Sequence, residues 1–427
     1  MRRTRHRTHR QPPLRVGLFG ILGSGNLGND ASLDVVMRSL RERHPDADLG
    51  FFAMGPDHLE RRYGAPAVHL QWYEANMERL ARLPAPLLKV VGRLLDPVRT
   101  LAWVRHQDVV LVPGAGVLET TTPMRPWAFP YSLLSLGLAA RLVGTRVGLV
   151  CVGANVVAKG PTRWILSRAT RLVDYRSYRD ELSRDAMREM GVDVHADKVY
   201  PDLAFALEVP ERGPVGPRTV GFGLMNYRGG AQDRARADEM HEAYVDAVTR
   251  LVRLLVDDGW QVRLFPGDRE DETVVRRVLG AVQLRSAGDG AAPVVAERVG
   301  TMADLMRVMA GVDVVVATRY HNVLAALKMS IPTLSIGYAA KLDVLMATMG
   351  LGEFCQSAAS IDVDRAIEQL RELEARNDEL TELLRQRNRA QTEGVRRQLD
   401  ALSRFLRPGT AEAVDRRSAA GEPTSQA

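Results

Sequence analysis

The residues best suited to chemistry are Arg319, Tyr320 and His321, which follow the apolar run VVVAT at 314–318. The run predicts a buried strand, so these side chains would lie at its carboxyl end, where a helix begins. A histidine there can act as a general acid or base near neutral pH, and an arginine can hold a phosphate or carboxylate through two hydrogen bonds. A histidine that caps a buried turn is the structural alternative. The pattern predicts catalytic roles for Arg319 and His321.

Further cations are predicted at the same site. Tyr338 and Lys341 follow the next apolar run, PTLSIG, and would stand on the same rim. Arg179 precedes a predicted helix that begins DELSRD, where its charge adds to the positive end of the helix dipole. Surface pairing of Arg179 with Asp180 or Glu181 is the alternative. A site with the side chains of Arg179, Arg319, Tyr320, His321, Tyr338 and Lys341 would favour an anionic ligand.

A glycine-rich loop, GILGSGNLGND at 20–30, follows the first predicted strand and opens a helix. Its backbone N–H groups can face an anion or a sugar hydroxyl with little steric hindrance. We predict Gly25, Asn26 and Asp30 as acceptor-binding residues, with helix capping by Asp30 as the structural alternative.

The same loop spells G-x-G-x-x-G, the dinucleotide-binding fingerprint. Such a site also needs an acidic residue at the end of the second strand to bind the ribose, but the run at 49–54 ends in methionine and is followed by Gly-Pro. A nicotinamide-dependent enzyme therefore ranks below the other hypotheses.

A second glycine loop, PGAGVLETTTP at 113–123, follows the predicted strand at 108–112. Gly114 and Gly116 would let the backbone approach a bound ligand, and Glu119 can orient an acceptor hydroxyl. We predict all three on the acceptor side, with a solvated loop glutamate as the alternative.

The elements that must position these residues are short apolar runs alternating with segments of helical period. Alternation of this kind is typical of parallel strands joined by crossover helices, an α/β fold. The pattern pauses at the Pro- and Gly-rich stretch EVPERGPVGPR and then restarts. We therefore predict two doubly wound Rossmann-like lobes, with the ligand between their strand ends.

The predicted division of the chain has six parts. They are a disordered basic tail at 1–13, an N-terminal Rossmann-like lobe on the acceptor side at 14–207, a linker at 208–218, a C-terminal lobe on the donor side at 219–361, a long helical segment at 362–407 that packs across both lobes, and a disordered tail at 408–427.

Composition restricts the classes of function. The 427 residues are 45% hydrophobic and 26% charged, as in globular proteins, and arginines among the first ten residues supply five of the six net positive charges. The remainder is nearly neutral, so no nucleic-acid partner is predicted. The apolar stretches are too interrupted for a signal peptide or a spanning helix, and the two cysteines have neither disulfide nor zinc spacing. We expect a cytoplasmic protein without a metal.

The stretch 77–106 interleaves leucines and valines with arginines and a lysine. Basic amphipathic helices can lie on anionic membranes, whereas packing of the apolar face on the sheet is the structural alternative. We keep as a hypothesis a peripheral contact of 77–106 with the inner face of the membrane.

Four segments carry a family resemblance, in this order: GNLGND, the PGAG loop, SYRDELSRDAMREMGV with VYPDLAFAL, and TRYHNVLAALKMSIPTLSIGYAAKL. Through them the chain resembles the polysaccharide pyruvyl transferase family across about residues 14–355. The resemblance implies a GT-B-like arrangement of the lobes, phosphoenolpyruvate as co-substrate, no separate cofactor, and a pyruvate ketal on a sugar or lipid-linked glycan precursor of a polysaccharide such as an exopolysaccharide of the cell envelope. Arg179 matches its S-x-R-D signature, and Arg319 and His321 match its R-x-H signature. The resemblance places all three around the donor as catalytic residues, with His321 protonating the methylene carbon. Together with Tyr320, Tyr338 and Lys341 they would form the donor-binding group. A GT-B-type glycosyltransferase using a nucleotide sugar and a non-catalytic sugar-binding relative are the alternatives.

Overall fold

The computed structural model describes residues 12–114, 116–119, 126–213, 218–230, 233–283 and 293–407. The predicted tail at 408–427 and nearly all of the tail at 1–13 lie outside the described residues, as do residues 214–217 of the predicted linker. The described chain forms two parallel sheets covered by helices.

The first sheet has seven strands in the order β3-β2-β1-β4-β5-β6-β7, and every pairing is parallel. We call this sheet and its helices the N-terminal lobe. Its strands are β1 Arg15–Gly20, β2 Asp48–Ala53, β3 Ala67–His69, β4 Val109–Pro113, β5 Arg146–Val152, β6 Tyr175–Tyr178 and β7 Lys198–Val199. Its helices are α1 Leu27–Arg43, α2 Pro56–Tyr63, α3 Trp72–Asn76, α4 Ala85–Val104, α5 Phe129–Val143, α6 Pro161–Arg171 and α7 Glu181–Glu189.

Strand order fixes which face of this sheet each helix covers. The chain moves from β1 toward β3 through α1 and α2, and then moves the opposite way from β4 to β7 through α5, α6 and α7. Because parallel crossovers are right-handed, α1 and α2 cover one face, and α4 to α7 cover the other. Two hydrophobic clusters result, and the one on the α1 face continues into the second sheet.

The second sheet has six strands in the order β10-β9-β8-β11-β12-β13, again all parallel. We call it, with its helices, the C-terminal lobe. Its strands are β8 Thr219–Leu224, β9 Gln261–Pro266, β10 Val294–Ala296, β11 Val314–Ala317, β12 Thr333–Gly337 and β13 Cys355–Ser357. Its helices are α8 Ala237–Asp257, α9 Glu272–Gln283, α10 Met302–Met309, α11 Tyr320–Lys328 and α12 Ala340–Thr348.

The end of the described chain contains two helices, α13 Val363–Ala375 and α14 Asn377–Leu406, where one long helix was predicted. The break falls at Arg376, whose guanidinium binds glutamates on both sides of it. Helix α14 packs across both lobes. Its Asn388 donates to the Leu327 carbonyl of the C-terminal lobe at 2.8 Å, and its Leu406 carbonyl accepts from Arg146 of the N-terminal lobe at 2.9 Å. The helix therefore holds the two sheets together, whereas the predicted lobe boundaries remain predictions.

Within the described ranges, none of the helices combines the length and apolar content needed to cross a bilayer.

Candidate functional site

The carboxyl ends of the two sheets face each other across a cavity of about 130 Å³. In parallel α/β sheets this edge carries the loops that bind ligands, because every strand ends there and a helix begins there. Nine of the twelve residues predicted from the sequence lie in the cavity wall. The wall consists of Asn26, Gly28, Asn29, Gly116, Glu119, Arg179, Gly267, Arg319, Tyr320, His321, Tyr338 and Lys341.

His321 is the second residue of α11, and only 16% of its side-chain surface is exposed. Its Nε2 lies 3.9 Å from Oδ2 of Asp202, and neither atom has a hydrogen-bond partner within the described ranges. Burial lowers the pKa of His321 to about 4, helped by Arg179 and Lys341 and opposed by Asp202. The imidazole is therefore neutral near pH 7 in the ligand-free protein, and it can accept a proton.

The N-terminus of α1 packs directly against this imidazole. A Cβ atom on Gly28 would lie 2.0 Å from the His321 ring, so only glycine allows the approach. Asn26 caps α1 by accepting from the backbone N–H groups of Gly28 and Asn29 at 3.2 Å. The positive end of a helix disfavours a charged imidazolium, which agrees with the low pKa of His321.

Arg179 directly follows β6, and only 1% of its side-chain surface is exposed. Its guanidinium binds Glu119, lies 3.4 Å from Asp180 and 3.6 Å from Asp202, and stacks 4.4 Å from the centre of the Tyr320 ring. Burial alone would lower its pKa, but these carboxylates, Glu119 first, raise the pKa of Arg179. The surface pairing considered from the sequence is wrong, because this arginine is buried in the site.

Glu119 joins the two lobes electrostatically. One oxygen accepts from Arg179 and the other accepts from Lys341 Nζ at 2.6 Å. Burial opposes ionisation, yet the charges of Arg179 and Lys341 bring the pKa of Glu119 down to about 2. Glu119 is thus a buried carboxylate held between two cations, and the alternative of a solvated loop glutamate is wrong.

Arg319 has its own carboxylate partner. Its Nε and Nη2 donate to the two oxygens of Asp271 at 2.9 and 2.7 Å. Asp271 is fully buried and also accepts the backbone N–H groups of Asn226 and Gly267, so its position is fixed. The paired charge of Asp271 raises the pKa of Arg319 against the effect of burial. This pairing orients the guanidinium at the cavity wall.

The sequence predicted the cations of the cavity but not that buried carboxylates balance them. Arg179, Arg319 and Lys341 all reach the site, but each is paired with buried carboxylates in the described chain. Unpaired charges are costly to bury, which explains the pairing. An anionic ligand would therefore bind cations whose charge is already shared with Glu119 and the aspartates.

The predicted loop residues divide into two groups. Asn26 and Gly116 line the cavity, and the Asn26 amide also donates to Asp268 of the other lobe at 2.9 Å. Gly25, Asp30 and Gly114 do not line it. Asp30 lies within the first turn of α1 and accepts the Gly23 N–H at 2.9 Å, so the idea that it caps the helix is wrong. The backbone at Gly114 lies close to Ser32, whose side chain a Cβ atom there would meet.

The sequence analysis did not predict three aspartates of the site: Asp202, Asp268 and Asp271. Asp202 caps a short 3-10 helix, and the other two follow β9. Each stands just beyond the carboxyl end of a strand, and this position was the only available signal. Their pairing with residues of distant sequence position could not be seen without the fold.

A second cavity of about 240 Å³ adjoins the first and shares Glu119 and Lys341 with it. Its other wall residues are Ala154, Asn155, Val156, Asp180, Leu182, Ser183, Ala186, Ala339 and Ala340. The two cavities together provide room for two small substrate groups side by side.

The sequence model of one protein family, described as polysaccharide pyruvyl transferase, matches residues 26–339 of the chain. The matched region contains eleven of the twelve cavity-wall residues, and Lys341 lies just beyond it. No curated protein matches the chain in a sequence comparison.

Solved structures share the fold at low sequence identity. The Anabaena protein Alr3699/HepE, in complex with UDP-glucose, is 12% identical with a TM-score of 0.56, over 94% of this chain and 99% of that one. The UDP-GlcNAc 2-epimerase from Methanocaldococcus jannaschii is 9% identical with a TM-score of 0.55, over 84% of this chain and 92% of that one. A lipopolysaccharide outer core galactosyltransferase, WaaB, is 11% identical with a TM-score of 0.51, over 90% and 99%. The two lobes have the GT-B-like arrangement.

Proposed function

Because the chain belongs to the polysaccharide pyruvyl transferase family, we propose that it transfers the pyruvyl group of phosphoenolpyruvate to two hydroxyls of a sugar in a polysaccharide or lipid-linked glycan precursor. The product is a pyruvate ketal, and phosphate is released. The observation that carries the proposal is the meeting of a neutral imidazole with two arginines and a lysine in one small cavity between the lobes.

The size of the cavity favours a compact donor. Sites for drug-sized ligands usually occupy about 300–1,000 Å³. The cavity that holds His321 is about 130 Å³, and its neighbour is about 240 Å³. A three-carbon enol phosphate suits the first and an acceptor hydroxyl pair suits the second. A nucleotide sugar would have to extend well beyond both.

The cations suit a donor with a phosphate and a carboxylate. Phosphoenolpyruvate carries about three negative charges near neutral pH, two of them on a phosphate whose second pKa is about 6. Arg319 presents a planar guanidinium oriented by Asp271. Arg179 and Lys341 both lie over the Tyr320 ring and both bind Glu119. When the donor binds, its negative charges replace part of the interaction with Glu119.

The imidazole of His321 then moves the proton that the reaction requires. A neutral imidazole accepts the proton of the first sugar hydroxyl, and the imidazolium, beside Asp202, delivers it to the methylene carbon. The hydroxyl oxygen bonds to the central carbon, which becomes tetrahedral and carries a methyl group. The carbon–oxygen bond to phosphate then breaks, the second hydroxyl adds, and its proton leaves with the phosphate.

The test is an acceptor panel incubated with phosphoenolpyruvate and followed by mass spectrometry and a phosphate assay. We expect pyruvate addition to one sugar class together with an equal amount of released phosphate. His321→Ala should lower turnover by about 10²–10⁴, the usual contribution of a general acid or base, with little change in donor affinity. His241→Ala, which replaces a half-buried histidine on α8 away from the cavity, is the matched control.

Thermal denaturation separates this proposal from its alternatives. A ligand at about 100 times its dissociation constant stabilises the folded state by about 2.7 kcal/mol. Phosphoenolpyruvate should stabilise the protein, and a uridine nucleotide sugar or NAD should not. Stabilisation by the nucleotide sugar alone would assign the chain to sugar transfer instead.

A further inference from the structure

The outer surface of α4, α5 and α6 is unusually apolar for a helical layer that faces solvent. Helix α4 packs on α5, and α5 packs on α6, on the face of the sheet that points away from the C-terminal lobe. Leu94 is 72% exposed and Leu142 is 75% exposed. The other exposed large apolar residues of these helices are Leu87, Val90, Leu95, Val98, Leu138, Val143 and Trp164. We call this surface the α4–α6 face.

The apolar positions of α4 do not simply pack on the sheet. Leu87, Val90, Leu94 and Val98 recur every three or four residues, so they form one stripe along the helix, and all are exposed. Leu88 and Val104 are the apolar residues that α4 buries. Soluble monomers rarely expose contiguous apolar patches of this kind unless something binds there.

Charge identifies the occupant. Helices α4, α5 and α6 contain seven basic residues and a single acidic one, Asp96. Asp96 is buried between Arg93 and Arg99, so these three helices present no carboxylate to solvent. Exposed Arg82, just before α4, adds to the positive charge. A second copy of this chain would bring the same positive charge to the contact, whereas an anionic lipid surface would complement it.

We propose that the α4–α6 face docks on an anionic lipid bilayer. Leucine and valine side chains enter the boundary between head groups and acyl chains, and the arginines bind lipid phosphates. Trp164, which is 62% exposed on α6, suits the head-group level, where tryptophan is enriched. The surface thus extends beyond 77–106 to helices that the sequence did not single out.

Docking in this orientation would bring a further cavity close to the bilayer. This cavity of about 490 Å³ lies beside α4 and includes Lys89 and Arg93, together with Ile21 of the glycine loop. Asn29, which lines the central cavity, donates to the Ile21 carbonyl at 3.0 Å. The cavity beside α4 and the candidate active site therefore lie on either side of one loop.

Sedimentation with vesicles tests the proposal on the full chain. We expect about tenfold or tighter binding to equimolar phosphatidylcholine and phosphatidylglycerol than to phosphatidylcholine alone, because each basic residue near an anionic surface contributes several-fold. Leu94→Asp with Leu142→Asp should abolish binding. Arg82→Glu with Arg168→Glu should weaken it only on the anionic vesicles. Val209→Asp, at an exposed valine outside this face, should bind as the unmodified chain does.

The replaced side chains are exposed, so unchanged thermal denaturation should show that the variants fold. Light scattering in solution reports the competing occupant: a dimer that Leu94→Asp with Leu142→Asp converts to a monomer would overturn the proposal in favour of self-association. Equal binding of all variants to both vesicle types would also overturn it. Neither result depends on pyruvyl transfer, which can be measured separately with a water-soluble acceptor.

Discussion

Replacing Glu119 by glutamine should weaken the fold and tighten donor binding at the same time. Glu119 holds Arg179 and Lys341 in the ligand-free protein, so its carboxylate competes with the donor for both cations. At an effective dielectric constant of about 20, two unit charges about 5 Å apart interact by about 3 kcal/mol. Relaxation of the freed cations cancels part of this value, so we expect phosphoenolpyruvate to bind about tenfold or more tightly to Glu119→Gln.

Without a bound donor, the Glu119→Gln variant should be less stable than the unmodified protein, although it binds the donor more tightly. Removing one partner from a buried ion pair costs about 3–5 kcal/mol. The lower end applies, because Arg179 keeps Asp180 and Asp202 as partners. The free energy of unfolding should therefore fall by about 3 kcal/mol, and phosphoenolpyruvate should restore more of it than in the unmodified protein.

Isothermal titration calorimetry with phosphoenolpyruvate and urea denaturation measure the two quantities. Glu208→Gln is the matched control, since it removes an equal charge at a largely exposed residue that pairs with Arg38 outside the cavity. Weaker or unchanged donor affinity in Glu119→Gln would refute the reasoning that the carboxylate and the donor share the same cations.

The remaining predictions concern three residues. Gly28→Ala should lower kcat by about 10²-fold, because its methyl group meets the His321 ring at 2.0 Å, whereas Gly280→Ala in open space on α9 should not; equal turnover in steady-state assays would contradict this. Arg319→Ala should weaken donor binding by about 1.5–3 kcal/mol in calorimetry, and unchanged affinity would remove it from the site. The pKa of His321 is lowered from 6.5 to about 4, so its stabilising contribution is complete above the unfolded value and is lost as pH falls. Urea denaturation should show a loss of about 2 kcal/mol from this group by about pH 5, and His321→Gln should lack that part of the loss.

Much of the fold could be predicted because most of its strands are apolar runs of four to seven residues. The runs DVVLVPG and DVVVAT, for example, contain β4 and β11 and exceed them by one residue at each end. Strands β3, β7 and β13 were missed because two or three residues are too few to show a period. The break in the C-terminal helix was missed because neither proline nor glycine marks Arg376.

The basic residues of the site could be predicted for the same reason, since each follows a readable strand. Their partners could not. Asp271 lies 48 positions from Arg319 in the sequence, and Asp202 and His321 belong to different lobes. Only the folded chain brings the two members of each pair together. The ionisation of the site depends on these pairs. The sequence therefore could not predict that the histidine is neutral or that the cations are already bound to carboxylates.

Three pairs in the cavity take one member from each half of the protein. The imidazole comes from one half and its nearest carboxylate, Asp202, from the other, and the same holds for Lys341 with Glu119 and for Asn26 with Asp268. Neither half, expressed separately, would contain an assembled proton-transfer apparatus. A rotation that parted the halves by a few ångströms would separate the imidazole from Asp202 and Lys341 from Glu119, and it would therefore interrupt the proposed chemistry.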